Sequence, residues 1–186
     1  MGTLAGRRIV LGVTGGIAAF KAVEVASLLR KEGAELRVVM TRAAASFVTP
    51  LTFREVANAP VAETMWGAPQ HHAAHISLAS FAEMVLVAPA TANFLAKAAA
   101  GIADDMLTTT LLATRAPLLF APAMNTVMWE NPVTQENVRR LSARGVQITP
   151  PAVGMLACGT TGAGRLPEPE EIVRVVKEHF TRSESL

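Results

Sequence analysis

The stretch Arg7-Arg-Ile-Val-Leu-Gly12-Val-Thr14-Gly15-Gly16-Ile17-Ala-Ala-Phe-Lys21 decides the fold. Arg7–Val13 is a short apolar run with β-branched residues, as in a buried strand. Gly15 and Gly16 supply a turn, and Ile17–Lys31 reads as a helix that stops near Gly33. A strand that passes through glycines into a helix is the opening unit of a parallel sheet.

The alternation continues along the chain. Leu36–Thr41 reads as a second strand, and Met84–Ala88 and Leu118–Ala121 as further strands, each ending in a loop with proline. Ala90–Ala100, Asp105–Thr114 and Thr134–Arg144 read as helices, with Gly101 between the first two and a short strand around Val146–Thr149. A loop of about twenty residues, Pro150–Pro169, precedes a last helix at Glu170–Phe180, and a loop that long is usually functional or disordered. The expected architecture is α/β: a doubly wound parallel sheet, Rossmann-like or flavodoxin-like, with helices on both faces. One domain is expected over residues 1–186, with residues 150–169 as a flap. Ligands of such sheets bind beyond the carboxyl ends of the strands. That rule selects Thr14–Ile17, Thr41–Phe47, Pro89–Asn93 and Pro122–Asn125.

Composition removes several function classes. The chain is 51% hydrophobic and only 17% charged, against disorder. Its apolar runs are broken by Gly, Pro and charge before the roughly 20 residues of a membrane span. Arg7 and Arg8 precede a run cut by Gly12, Thr14, Gly15 and Gly16, which suits a strand and turn rather than a signal peptide. A cytoplasmic protein that does not bind membranes is expected. The pI near 9.1 reflects a net charge of only +2 in a chain with no Tyr and one Cys, so few groups titrate in the alkaline range. There is no basic stripe interleaved with aromatics, and nucleic acid is not an expected partner. The single Cys excludes a disulfide within the chain and a multi-cysteine zinc site.

The first loop narrows the ligand. Glycines at a strand-to-helix turn let a phosphate approach the backbone, and the helix N-terminus supplies oriented N–H donors. The same glycines also serve plain turn geometry. The spacing is not G-x-G-x-x-G, because Thr14 stands where the second Gly would be. The second strand ends in Thr41-Arg42, with no carboxylate for a ribose hydroxyl, which counts against NAD and leaves NADP a minor option through Arg42. A nucleoside-triphosphate loop is absent from the sequence. A mononucleotide with one terminal phosphate fits better.

Three segments carry candidate chemistry. Asn125, in Pro122-Ala-Met124-Asn125, is either a helix cap or an amide that donates to a substrate carboxylate. Met128 and Trp129 suit packing or a subunit interface. Cys158 sits among Gly159, Gly162 and Gly164 in the long loop, a pattern read as a lid with glycine hinges. His71 and His75 have i,i+4 spacing, but His72 points elsewhere and zinc wants three or four ligands, so no metal is expected. His75 is otherwise a hydrogen-bonded structural imidazole. Asp104 and Asp105 read as the start of a helix rather than an acid–base pair.

Together, Gly15-Gly16-Ile17-Ala18-Ala19-Phe20-Lys21, His75-Ile76, Ala88-Pro-Ala-Thr-Ala-Asn93, Gly101-Ile-Ala-Asp-Asp105, Pro122-Ala-Met-Asn125 and Ala157-Cys158-Gly159 resemble one family. It is the homo-oligomeric flavin-containing cysteine decarboxylases, in their phosphopantothenoylcysteine branch. The likeness runs in order from about Arg7 to Ile172. It implies FMN held by Gly15, Gly16 and Ile17, by Thr41 and Phe47, and by Thr91, Ala92 and Asn93. It implies catalytic roles for His75, Asn125 and Cys158, with Asn125 and Met124 binding substrate. Gly16 is a departure, because many relatives have Ser there, which removes one side-chain hydrogen bond to phosphate.

The implied reaction converts 4'-phosphopantothenoylcysteine to 4'-phosphopantetheine in coenzyme A biosynthesis. A cysteine α-carboxylate lacks an electron sink, and oxidation of the thiol-bearing carbon to a thioaldehyde creates one. Carbon dioxide then leaves an enethiolate, which is protonated on carbon and reduced again. The resemblance assigns the carboxylate to Asn125, the proton to Cys158 and a place beside the flavin to His75. It also implies a homotrimer or dodecamer, and leaves room for a fusion with the phosphopantothenate–cysteine ligase. The competing expectations are a peptidyl-cysteine decarboxylase, which should not need the Cys158 acid, a flavin prenyltransferase of the same fold, and a non-catalytic flavoprotein regulator.

Overall fold

β1 (Arg8–Val13) turns Ile9, Leu11 and Val13 to one face of a sheet and Val10 to the other, the two-residue period of an extended chain. β4 (Met84–Ala90) does the same, with Met84, Leu86 and Ala88 on one side and Val85 and Val87 on the other. Beyond the exposed Arg8 both strands are apolar, because both faces are covered. These features belong to a computed structural model that describes residues 2–65, 74–157 and 159–183. Four more strands complete the sheet: β2 (Glu35–Met40), β3 (Val61–Ala62), β5 (Leu118–Pro122) and β6 (Gln147–Ile148). The order is β3-β2-β1-β4-β5-β6, with every neighbouring pair parallel. The doubly wound expectation therefore holds, and the order reverses between β1 and β4.

α1 (Ala19–Lys31), α2 (Pro50–Ala57) and α8 (Pro169–Ser183) cover one face, where Leu29, Phe53 and Ile172 join the residues of β1 and β4. α3 (Ala74–Phe81), α4 (Ala92–Ala100), α5 (Met106–Ala113) and α7 (Pro132–Ala143) cover the other, around Leu78, Leu95, Leu107 and Leu141. Gly12 admits α5 against the sheet, since a Cβ there would lie 2.6 Å from Leu107 Cδ1. Glu32, at the end of α1, accepts from Lys177 Nζ of α8 at 2.9 Å and from the Thr3 hydroxyl at 2.7 Å. These bonds, the one from Lys177 foremost, pull its carboxyl down to about 2. Among the described residues no helix is long and apolar enough to cross a membrane.

Two expectations change. The segment between Val48 and Glu83 carries α2, β3 and α3, which the sequence reading did not place. The long segment after Pro150 is not a bare loop: β7 (Ala152–Met155) and β8 (Thr161–Arg165) form an antiparallel hairpin, with Met155 opposite Thr161. Its glycines were read as hinges, and two of them are packing contacts. A Cβ on Gly162 would lie 2.4 Å from Thr126 Oγ1, and one on Gly164, at φ +150°, would lie 2.2 Å from the Met124 carbonyl oxygen. Hydrogen there is what lets the hairpin lie down.

Candidate active site

The first loop leads into a helix without a side-chain cap. α1 opens at Ala18 with no side-chain cap and no acidic residue in its first turn. By contrast α4, α5, α7 and α6 (Thr126–Glu130) are each capped by a side chain. The Ala19 and Lys21 N–H groups bond locally to the Gly16 and Ala18 carbonyls, at 2.9 Å and 3.0 Å, and the helix dipole at this end favours a negative neighbour. Gly15 presses on the chain after β2, where a Cβ would come within 2.3 Å of Ala43 Cβ. Thr14 explains the missing glycine of the dinucleotide spacing. Its buried hydroxyl donates to the Pro89 carbonyl at 2.7 Å and accepts from the Thr91 N–H at 3.1 Å. That side chain ties the β1 and β4 ends together across the point where the strand order reverses.

Beyond β5, Asn125 begins α6. Its Oδ1 accepts from the Val127 N–H at 2.8 Å, so it is a helix cap, with Nδ2 as the donor atom of the same amide. The hairpin meets this segment directly: the Met124 N–H donates to the Gly164 carbonyl at 2.9 Å. The Leu156 N–H donates to the Thr160 carbonyl at 2.8 Å, and the Gly159 N–H to the Leu156 carbonyl at 2.9 Å, closing the hairpin end.

Between the first loop, the Asn125 segment and the hairpin lies a cavity of about 610 Å³. Its wall runs from Gly16, Ile17 and Phe20 past Met124 to Met155, Ala157 and Leu166. Only three polar side chains face it among the described residues: Lys21, Asn125 and Arg165. Two are cations, one is an amide, and none is an acid. Lys21 and Arg165 both engage Glu168, at 2.7 Å and 3.0 Å. The hydrogen bond from Lys21 holds the Glu168 carboxyl below its usual range.

The candidate residues divide into groups. Gly16, Ile17, Met124 and Asn125 share the cavity. Thr91 caps α4 by accepting from the Phe94 N–H at 3.3 Å, with Ala92 and Asn93 in the first turn beside the β4 end. The Thr41 N–H donates to the Val13 carbonyl at 3.0 Å, and exposed Phe47 follows the short 3-10 turn Ala44–Ser46. His75 is the second residue of α3 and is not in the cavity wall. Cys158 lies outside the described residues, between Ala157 of the wall and Gly159. His71 and His72 also lie outside them, and no group of three metal-ligating side chains occurs among the described residues. Asp105 caps α5, the helix-start role expected, and Asp104 pairs with Lys97 at 2.7 Å. The sequence reading gave no role to Lys21 or Arg165. The available signal was a lone cation in the otherwise apolar stretch Ile17–Ala22, and another closing a glycine-rich strand.

A family model described as Flavoprotein matches residues 2–181. The chain is 47% identical over 181 residues to the coenzyme A biosynthesis bifunctional protein CoaBC of Vibrio vulnificus, covering 97% of this chain and 45% of that protein. It is 45% identical over 180 residues to the CoaBC protein of Bacillus subtilis, covering 96% and 44%. The chain thus spans a little under half the length of these curated relatives. Among solved structures, it resembles a cysteine-to-serine mutant of PPC decarboxylase complexed with pantothenoylaminoethenethiol. That match has a TM-score of 0.83 and 32% identity, over 95% of this chain and 99% of that one. The FMN-dependent cysteine decarboxylase SpaF superposes with a TM-score of 0.81 at 35% identity, over 95% and 98%.

Proposed function

Because the chain belongs to the flavoprotein family, we propose that it binds FMN at the β1–β4 crevice and decarboxylates 4'-phosphopantothenoylcysteine to 4'-phosphopantetheine. The observation that carries the reading is the cavity itself: an apolar space whose polar side chains are one amide and two cations, beside an uncapped helix N-terminus. Such a wall suits a planar ring system and an anionic substrate, and it repels no carboxylate. The names of the similar proteins, CoaBC and PPC decarboxylase, support the substrate.

The residues fit the cofactor. Gly15, Gly16 and Ile17 offer backbone N–H groups to its phosphate, while Thr41, Phe47, Thr91, Ala92 and Asn93 border it from the neighbouring strand ends. A bound flavin supplies a reversible hydride acceptor for the thiol-bearing carbon. Asn125 Nδ2 donates to the departing carboxylate, and the cap bond to Val127 fixes the amide in that orientation. Met124 packs against the substrate from the same segment. The hairpin, as the flap, covers the cavity and excludes water, and Cys158 delivers the proton to carbon, a task suited to a thiol, which holds its proton far less tightly than a hydroxyl. His75 acts from the flavin side. Exposed Ile17, Phe20, Val127 and Met128 support assembly into a homotrimer or a dodecamer, and the CoaBC relatives support fusion with a ligase.

The test is direct. Purified protein should release FMN on denaturation and evolve carbon dioxide from 4'-phosphopantothenoylcysteine. Release of NADP instead, or no carbon dioxide from the flavin-loaded protein, overturns the reading.

A further inference from the structure

The two cations of the cavity wall have no part in holding the carboxylate, and Lys21 is largely buried, with its side chain only 19% exposed. Lysine is seldom kept that far from water without an anion to meet it. The anion present is Glu168, whose two carboxylate oxygens are split between Lys21 Nζ and Arg165 Nη2. Glu168 is itself more than half exposed and is not in the cavity wall, whereas both cations are. One carboxylate for two cations leaves a net positive charge on the wall.

We infer that Lys21 and Arg165 form the subsite for the phosphate monoester of the substrate, with Glu168 as a resident carboxylate that yields one or both cations when phosphate arrives. The assignment rests on the decarboxylase reading and deepens it, because it gives the molecule's second anionic end a partner. Arg165 offers a planar fork suited to two phosphate oxygens and Lys21 a compact charge. Placement favours the substrate over the cofactor. The first loop has its own uncapped N–H groups, whereas Arg165 directly follows Gly164, whose carbonyl holds the Asn125 segment. The residue that grips the phosphate and the residue that grips the carboxylate therefore lie on two segments joined by that bond.

The experiment compares 4'-phosphopantothenoylcysteine with its dephosphorylated form, using the flavin-loaded protein, and reads the ratio of kcat/KM for the pair. Lys21→Met and Arg165→Met should each lower the ratio about tenfold, the effect of one charge-assisted hydrogen bond. Lys21→Arg should restore most of it. Glu168→Gln should raise the ratio, since it removes the competing carboxylate, and this opposite sign separates a phosphate subsite from general damage to the fold. FMN retained per subunit is measured on every variant. A ratio that none of the substitutions moves, with normal turnover by the unaltered protein, overturns the assignment and leaves the decarboxylase reading standing. FMN loss in Lys21→Met with an unchanged ratio gives the pair to the cofactor phosphate and overturns it too. No turnover of either substrate by the unaltered protein overturns the decarboxylase reading and the assignment with it.

Discussion

Gly164→Ala should lift the hairpin from the Asn125 segment and leave the six-stranded sheet in place. The new Cβ would stand 2.2 Å from the Met124 carbonyl oxygen, against the 3.4 Å at which ordinary contact begins. The obstacle is backbone, so it cannot rotate away, and β8 and the Met124 segment must part by about 1.2 Å. That opening takes the Met124 N–H to Gly164 bond, now 2.9 Å, out of range. Overpacking of this kind costs about 1–3 kcal/mol and the lost hydrogen bond about 1 kcal/mol. At φ +150° the alanine is also strained. Roughly 3 kcal/mol against docking shifts the docked-to-undocked ratio about a hundredfold. A misplacement near 1 Å can itself reduce turnover by about two orders of magnitude. Hydrogen exchange reads the outcome locally: amides of Met124 and of β8 should lose protection while those of β1 and β4 keep theirs. FMN content should hold, and carbon dioxide release should fall. Unchanged protection at Met124 with unchanged turnover would refute the idea that this contact docks the flap.

Other outcomes follow from the same geometry. Asn125→Asp keeps an acceptor for the Val127 N–H and so keeps the cap, but it sets a negative charge against the carboxylate. Carbon dioxide release should fall by about 10²–10³ with FMN retained, and near-normal rates would return Asn125 to capping alone. Gly16→Ser should be tolerated, because a Cβ there meets only Thr91 Cγ2 at 3.5 Å. The added hydroxyl should tighten FMN roughly fivefold, about 1 kcal/mol, in a fluorescence titration of the apoprotein, and weaker binding would contradict a phosphate at that turn. Hydrogen bonds from Lys177 and Thr3 hold the Glu32 carboxyl at about 2 in the folded protein, below the ordinary 4.5. Its stabilisation is complete above about 4.5 and fades as pH falls toward 2. Urea midpoints should therefore drop less steeply over that range in Glu32→Gln, and parallel curves would remove Glu32 from the acid response.

The sequence disclosed most of the sheet because β1 after Arg8, β4 and β5 are buried on both faces and read as unbroken apolar runs. It concealed β3, two residues long, and α2, whose buried residues Phe53 and Ala57 make too short a stripe to register. The hairpin was hidden for another reason. β7 leaves Val153 and Met155 exposed and β8 is Thr-Gly-Ala-Gly-Arg, so neither strand shows alternation toward a core. Its glycines record contact with Met124 and Thr126, a tertiary fact that local pattern cannot carry. Asn125 was legible as either cap or ligand, and the geometry is compatible with both because the two roles use different atoms of one amide. The pairing of Lys21 with Arg165 spans most of the chain and passes through Glu168, which places it beyond any reading of spacing.

The proposed reaction is a redox-neutral decarboxylation, in which the carbon left by carbon dioxide is protonated and reduced before release. The mass of the thiol formed from 4'-phosphopantothenoylcysteine under anaerobic conditions tests this most directly, with Cys158→Ser run in parallel. The unaltered protein should yield saturated 4'-phosphopantetheine, and Cys158→Ser should yield the enethiol, lighter by two hydrogens, with its flavin reduced. An enethiol from the unaltered protein would contradict the account, and so would an equal yield of saturated thiol from the serine variant.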